Sequence, residues 1–432
     1  MYVMKTANLP QEFFIKNRSK LYRYLQKGSV AFFCASHEMP RNGDQYYPFR
    51  QHSDFYYLTG INQEDCIVML APFHPDPNQR EILFIKRTTA KNEIWFGKKL
   101  NPDSASEISG IHNVRWMEEF FPVVADVIAI HDTLMFNLNE YNKFHPAVRS
   151  ADEELAGMLT GKFPAHGTGR LAPIMTRLRI LKEPEEITRI REACQVTEHA
   201  FRKLLPEVKP EMMEYEIEAH LSFHFLASGS EGHAYPPIVA GGERALTLHY
   251  NENSRVCKDG ELVLIDFGAE VGHYAADCTR TIPLNGRFTP RQRELYEANL
   301  RVLKASIAMM RPGTRLNEFN EAVGKLWEEE HIRLGLYTAE EAKRRNPSDP
   351  LWKVYYMHGT SHCIGLDVHD PYDLSVTFAE GMVFSCEPAI YIPEEGIAIR
   401  LENDILITSG DPVDLMASLP IEPDEIEDLM NR

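Results

Sequence analysis

Asp259-Gly-Glu-Leu-Val-Leu-Ile-Asp266 has a counterpart later in the chain, Glu380-Gly-Met-Val-Phe-Ser-Cys-Glu387. Each is an acid-glycine turn running into an apolar strand, and each ends in a carboxylate seven positions after the opening acid. A charge at the end of such a run is costly to bury unless it is paired or bound to a cation. Each half then supplies a second acid on what reads as the returning strand. These are Asp277 in Ala276-Asp-Cys-Thr-Arg-Thr-Ile282 and Glu402 in Ile399-Arg-Leu-Glu-Asn-Asp-Ile405. Two hairpins facing each other would bring four carboxylates together, and such a cluster repels itself unless cations sit inside it. Taken singly, each acid reads as a turn former or a salt-bridge partner of Arg280 or Arg400. Four in repeated positions read as a metal site.

The repeat extends upstream of both strands. A helix opens near Pro184, a residue suited to a first helical turn because it lacks an N–H. Ile187, Ile190, Cys194, Phe201 and Leu204 fall on one stripe at helical spacing. Pro206 and Pro210 interrupt it, and Glu211 to Leu226 resumes as a second helix. The other half opens on Thr289-Pro290, a cap followed by proline, with Tyr296, Leu300, Leu303, Ile307 and Met310 as its stripe. Pro312-Gly313 stops that helix, and Leu316, Phe319, Val323 and Leu326 mark the next. The pattern predicts a duplicated domain with a site between its halves.

Beside the second pair of acids lies Met357-His-Gly-Thr-Ser-His-Cys-Ile-Gly-Leu-Asp-Val-His-Asp370. One histidine there reads as a satisfied core group. His358, His362 and His369 together read as site lining, with one ligating and the others handling protons. His249, in Leu246-Thr-Leu-His-Tyr-Asn-Glu-Asn253, reads equally as a site group or as a polar loop residue. Carboxylates plus imidazole form an oxygen-rich donor set without thiolate. That set favours Mn²⁺, with Co²⁺, Fe²⁺ or Zn²⁺ as alternatives. Bridging carboxylates would hold two ions roughly 3.5–4 Å apart, the separation used by two-metal hydrolases.

Composition narrows the class. The chain has 432 residues, 44% hydrophobic and 25% charged, which predicts a globular protein of two domains. Gly161-Lys-Phe-Pro-Ala-His-Gly-Thr-Gly-Arg170, followed by Pro173, reads as the linker, giving domains at 1–172 and 173–432. Short strands such as Cys66–Ala71 and Ile82–Lys86 alternate with helical patterns before it, predicting an α/β N-terminal domain. The formal charge of −17 disfavours nucleic acid as a partner, and metal-bound carboxylates would account for part of it. No secretory signal is read at the N-terminus, and no apolar run approaches the ~20 residues of a membrane span. Seven cysteines without a CxxC pair argue against a disulfide framework and fit a cytoplasmic compartment.

Asp266-x10-Asp277, His358-Gly-Thr-Ser-His362, Glu387-Pro388 and Arg400-Leu-Glu402-Asn-Asp together resemble the pita-bread metallopeptidases. That family includes methionine aminopeptidase, prolidase and aminopeptidase P. Tyr47-Pro-Phe-Arg-Gln-His-Ser-Asp-Phe-Tyr-Tyr-Leu-Thr-Gly60 and Glu93-Ile-Trp-Phe-Gly97 look like the N-terminal domain of bacterial Xaa-Pro aminopeptidases. The resemblance covers nearly the whole chain. It implies an N-terminal α/β domain of the creatinase/prolidase type, then an α+β pita-bread domain with an internal pseudo-twofold repeat. It also implies cleavage between an N-terminal residue and a following proline by a hydroxide bridging two divalent metals. By position, Asp266 would bind one ion, His362 and Glu387 the other, and Asp277 and Glu402 would bridge them. Glu387 would also move the proton of the bridging water. His369 would stabilise the tetrahedral intermediate or shuttle a proton, while His249 and His358 would contact substrate or product, with His249 counted among the catalytic groups. Arg400 corresponds to an arginine near the substrate end of the site. Trp95 corresponds to a tryptophan that reaches a substrate pocket, in some members that of a neighbouring subunit. Relatives form dimers or tetramers through the N-terminal domain. This chain departs from the pattern at Ala389, where glycine is usual, and in its short loops at 371–379 and 393–396.

Three rivals share these residues. A prolidase accepting only dipeptides would use the same ligands, but it matches Tyr47–Gly60 and Glu93–Gly97 less well. A non-catalytic pita-bread scaffold would have lost its metals, whereas all five ligands are present here. A methionine aminopeptidase would lack the large N-terminal domain.

Overall fold

The computed structural model describes residues 9–140 and 147–432, and the chain divides into two compact units, Asn8–Leu178 and Arg179–Arg432. The N-terminal unit is built on a mixed six-stranded sheet. Its spatial order is Asn113–Trp116, Glu81–Ile85, Ile67–Leu70, Ser29–Cys34, Thr133–Phe136, Gly167–Arg170. Ser29–Cys34 is buried along its whole length, as expected for a central strand covered on both faces. It runs antiparallel to Ile67–Leu70 and parallel to Thr133–Phe136. One face carries a core of Val30, Phe32, Met69, Ile82, Phe84, Leu134 and Phe136. The apolar run from Phe120 forms the helix Phe120–Ile128, which packs on that core and sets Phe120 edge-on to Phe84 at 5.0 Å.

The stretch read as a linker is part of this unit. Gly167–Arg170 pairs in parallel with Thr133–Phe136 as the edge strand. Glycine at 169 has a steric reason: a Cβ there would lie 2.1 Å from the Met135 sulfur. A turn-like composition thus served close packing at a sheet edge.

The C-terminal unit repeats its elements. Pro184–Leu204 and Glu214–Ala227 pack as a helix pair, followed by the sheet Ile238–Gly241, Leu262–Asp266, Thr279–Pro283. Pro290–Met309 and Leu316–Arg333 form the second pair, followed by the sheet Val383–Cys386, Asn403–Leu406, Val413–Asp414. Local signals fix the helix starts. Pro184 takes the first turn, and Thr289 accepts from Gln292 N–H while Gln292 reaches back to the Thr289 N–H. Ile190, Cys194, Phe201 and Leu204 are buried, while Ile187 at the helix start is half-buried. Each fully buried apolar side chain of this kind contributes about 1.5–3 kcal/mol.

The two hairpins carry the acids at their ends. Asp266 pairs opposite Thr279 at the last register position of its strand, and Cys386, preceding Glu387, pairs opposite Asn403. Asp277 and Glu402 do not lie on the returning strands. Asp277 precedes Thr279–Pro283, and Glu402 sits between Ile397–Arg400 and Asn403–Leu406 on an isolated bridge to Thr279. Where the ladder stops, a side chain is free to turn inward without breaking strand pairing. That bridge joins the two halves of the repeat.

Candidate metal centre

Asp277, His362 and Glu402 are the residues that converge most closely. Each offers one ligand atom, and these atoms lie within 4.8 Å of one another. His362 Nε2 stands 3.3 Å from Asp277 Oδ2 and 3.7 Å from Glu387 Oε1. Asp266 joins through Tyr235, whose hydroxyl donates to Asp266 Oδ1 at 2.6 Å and Asp277 Oδ1 at 2.5 Å. The four acids and one histidine expected as ligands therefore form one connected group, with Asp277 at its centre and Asp266 and Glu387 on its flanks. Asp266 also pairs with Arg400, which donates to Oδ2 at 2.6 Å. The salt bridge that a lone acid suggests is thus present inside the cluster rather than in place of it.

The electrostatics of the group call for cations. Burial, then the charges of Asp277 and Glu387, push the Glu402 carboxyl well above its ordinary range. Burial also raises Asp277, and it raises Glu387 to about 7. Burial pulls the His362 imidazole down, but the hydrogen-bonded Asp277 and the nearby Glu387 lift it to about 9. Carboxylates so close cannot all stay ionised without compensating charge. Oxygen donors with one imidazole suit hard to borderline divalent ions, and no cysteine belongs to the group. The residues fit divalent metal.

The other expected residues of the C-terminal unit fall around this core. His369 is exposed yet stacks on the His362 ring at 3.9 Å, with 16° between planes. His358 lies with Nδ1 3.9 Å from Glu387 Oε2 and Nε2 3.0 Å from the Tyr391 hydroxyl. Burial and the Arg400 charge hold His358 down at about 4, with a further contribution from His249. His249 is exposed on the loop after the turn Gly242–Leu246, within electrostatic reach of His358. Arg400 is buried and is anchored by Tyr391 Oη at 2.9 Å and Thr279 Oγ1 at 3.1 Å. Trp95 belongs to the N-terminal unit, on the helix Ala90–Phe96, and is 74% exposed.

Four residues of the site escaped the sequence reading. Tyr235 and Tyr391 are neutral hydroxyl groups that no local sequence pattern ties to their partners, Asp266 and Asp277 for the first and His358 and Arg400 for the second. Thr279 donates to Glu402 Oε2 at 2.6 Å. Asp404 is fully buried and accepts the Asp277 N–H at 3.0 Å. The sequence pattern could have flagged Asp404, an acid two positions after Glu402 on what reads as one strand.

This fold and this carboxylate-histidine cluster define a metallopeptidase, and the chain belongs to metallopeptidase family M24. The family model matches residues 188–409, and that of the aminopeptidase P N-terminal domain matches residues 14–136. The chain is 35% identical to the Xaa-Pro aminopeptidase of Escherichia coli (strain K12), covering 98% of each. Among solved structures it is similar to a putative aminopeptidase P from Bacillus anthracis, with a TM-score of 0.91 and 33% identity over 98% of this chain and 99% of that one. It also resembles aminopeptidase P from E. coli with the inhibitor Pro-Leu, with a TM-score of 0.88 and 32% identity over 98% of this chain and 99% of that one. The fold is the α/β N-terminal domain joined to a pita-bread domain, and the protein is a hydrolase, a metal-dependent aminopeptidase. Among the described residues no helix is long and apolar enough to cross a membrane.

Proposed function

We propose that the protein removes the N-terminal residue from peptides whose second residue is proline. The observation that carries this reading is the end-to-end match to an Xaa-Pro aminopeptidase, which covers 98% of each chain. Asp266, Asp277, His362, Glu387 and Glu402 would hold two divalent ions, Mn²⁺ first among them. The chemistry supplied there is Lewis-acid activation of a water and of the scissile carbonyl.

The chain's own residues do the rest. Glu387, at the edge of the cluster, takes the proton of the attacking water and returns it to the leaving proline nitrogen. His369 reaches the developing oxyanion from outside the His362 ring. His358 and His249 flank the substrate, and Arg400, locked by Tyr391, orients its charged groups. Trp95, standing exposed between Ile94 and Phe96, contributes to a substrate pocket of its own or a neighbouring subunit. Assembly is as a homodimer or homotetramer. A cytoplasmic setting is supported by seven cysteines, all free and buried.

The test is a Mn²⁺-supplemented assay of Arg-Pro-Pro against Gly-Pro, run beside an Asp277→Asn variant and a chelated sample. Release of arginine from the tripeptide, lost in the variant and after chelation, is the expected result. Strict preference for the dipeptide overturns the specificity, and full activity in Asp277→Asn overturns the metal site.

A further inference from the structure

The segment that carries both His362 and His369 is closed on itself and clamped from behind. Its first residues are zipped onto the strand Val383–Cys386. His362 N–H donates to Ser385 Oγ at 3.0 Å, and Ile364 N–H to Val383 O at 3.0 Å. Its last residue returns to its start, since Asp370 N–H donates to Cys363 O at 2.9 Å. The Asp370 carboxylate also accepts the Asp367 N–H at 3.1 Å and fills the space beside Gly365, where a Cβ would lie 2.7 Å from its carbon. His369, one residue before Asp370, is thereby presented to the His362 ring.

The clamp comes from Arg179 and Lys182. Lys182 Nζ donates to Asp370 Oδ2 at 3.2 Å and to Cys363 Sγ at 3.0 Å, so one ammonium holds both ends of the closed segment. Arg179 pairs with the other carboxylate oxygen of Asp370 and with Asp367 Oδ2 at 2.7 Å. The Lys182 side chain has no exposed surface, and those of Asp370 and Arg179 have 1% and 4%. The Lys182 backbone is pinned as well, its N–H donating to Gly381 O at 2.8 Å, in the turn that opens the strand leading to Glu387. Burying charges this deeply is unfavourable against an apolar filling. Their retention beside an exposed histidine calls for a role beyond stability.

We infer that Lys182 and Arg179 are positioning residues for the peptidase reaction: acting through Asp370, they fix His369 over His362. This rests on the reading of His369 as a group that contacts the reacting substrate. Guanidinium and ammonium each take one carboxylate oxygen of Asp370, whereas His362 is held by its own bonds to Ser385, so removing either charge frees the segment's closing residue while leaving the strand pairing of His362 intact.

The test is a double-mutant cycle on the Mn²⁺-loaded enzyme, with Lys182→Met and His369→Ala alone and together. Lys182→Arg serves as the conservative control. Asp370→Asn keeps the shape of the clamp and serves in place of Lys182→Met should that variant fold poorly. The expected result is a loss in kcat/KM of about ten- to hundredfold for Lys182→Met or Asp370→Asn, with bound metal unchanged. Lys182→Arg should restore most of it, and the loss should nearly vanish in the His369→Ala background. Independent, multiplying losses, or unchanged activity in both clamp variants while His369→Ala is impaired, overturn the positioning role and leave the site reading standing. Full activity in His369→Ala overturns the site reading itself, and the clamp's role with it.

Discussion

The Thr279 hydroxyl donates to Glu402 Oε2 at 2.6 Å, across the bridge on which Glu402 N–H donates to Thr279 O at 3.1 Å. The same hydroxyl accepts from Arg400 Nε at 3.1 Å. One fully buried threonine thus orients an expected ligand from the other half of the repeat and the arginine that pairs with Asp266. Thr279→Val preserves the shape and removes both bonds. Metal affinity is expected to fall by about ten- to hundredfold, as for other groups that orient a ligand. Leaving buried polar partners unsatisfied should cost about 1–3 kcal/mol. Mn²⁺ titration and thermal unfolding measure the two effects, and unchanged metal affinity would refute the first.

Tyr235 holds Asp266 and Asp277 together with a single hydrogen, so its hydroxyl is shared between two acceptors. Burial and those two carboxylates push its phenol well above the ordinary tyrosine range, so it stays a donor at any working pH. Tyr235→Phe should fold normally, since the ring remains. It should lose about ten- to hundredfold in kcat/KM or metal affinity. A variant matching the parent in both would show that the two carboxylates hold their positions unaided.

Gly268 lies between the same two acids, in the link from the strand Leu262–Asp266 to the strand Ala269–Val271, where a Cβ would stand 1.8 Å from the Ala276 carbonyl oxygen. No rotamer relieves a clash with backbone. Gly268→Ala must therefore open the loop between Asp266 and Asp277 by moving main chain. Overpacking of this kind typically costs 1–3 kcal/mol. The expected outcome is a folded protein with a lowered melting temperature and little bound metal. Retention of both properties would mean that this link yields at no cost.

What was legible in the sequence was whatever is costly to bury. Asp266 and Glu387 ending apolar runs, with His362 among small residues, mark the candidate site because a buried charge needs a reason. The helix pairs were legible through capping and spacing, as Thr289 and Gln292 bear out. The supporting hydroxyls were not, because Thr279, Tyr235 and Tyr391 are unremarkable in any strand or loop. Their meaning arises from partners as distant as Glu402, 123 residues from Thr279. The edge strand Gly167–Arg170 was hidden for a different reason. A glycine kept at 169 to admit Met135 looks the same as a glycine kept for a turn.

Away from the metal centre, His331 is fully buried, its ring stacked on Trp327 at 5.2 Å and its Nδ1 3.2 Å from the Tyr337 hydroxyl. Its Nε2 has no hydrogen-bond partner among the described residues, and burial drives its imidazole down to about 3. An unfolded histidine titrates near 6.5. Between these values the unfolded chain binds a proton that the folded one refuses, so stability falls as the pH drops from about 6.5 towards 3. The contribution is complete above about 6.5 and shrinks steadily below it. His331→Phe keeps the aromatic packing and removes the proton site. Between pH 7 and pH 4.5 the metal-free parent should lose on the order of 2–3 kcal/mol more stability than the variant. Urea unfolding at the two pH values reads this difference directly. Parallel losses in both proteins would show that His331 accepts its proton without unfolding the helix around it.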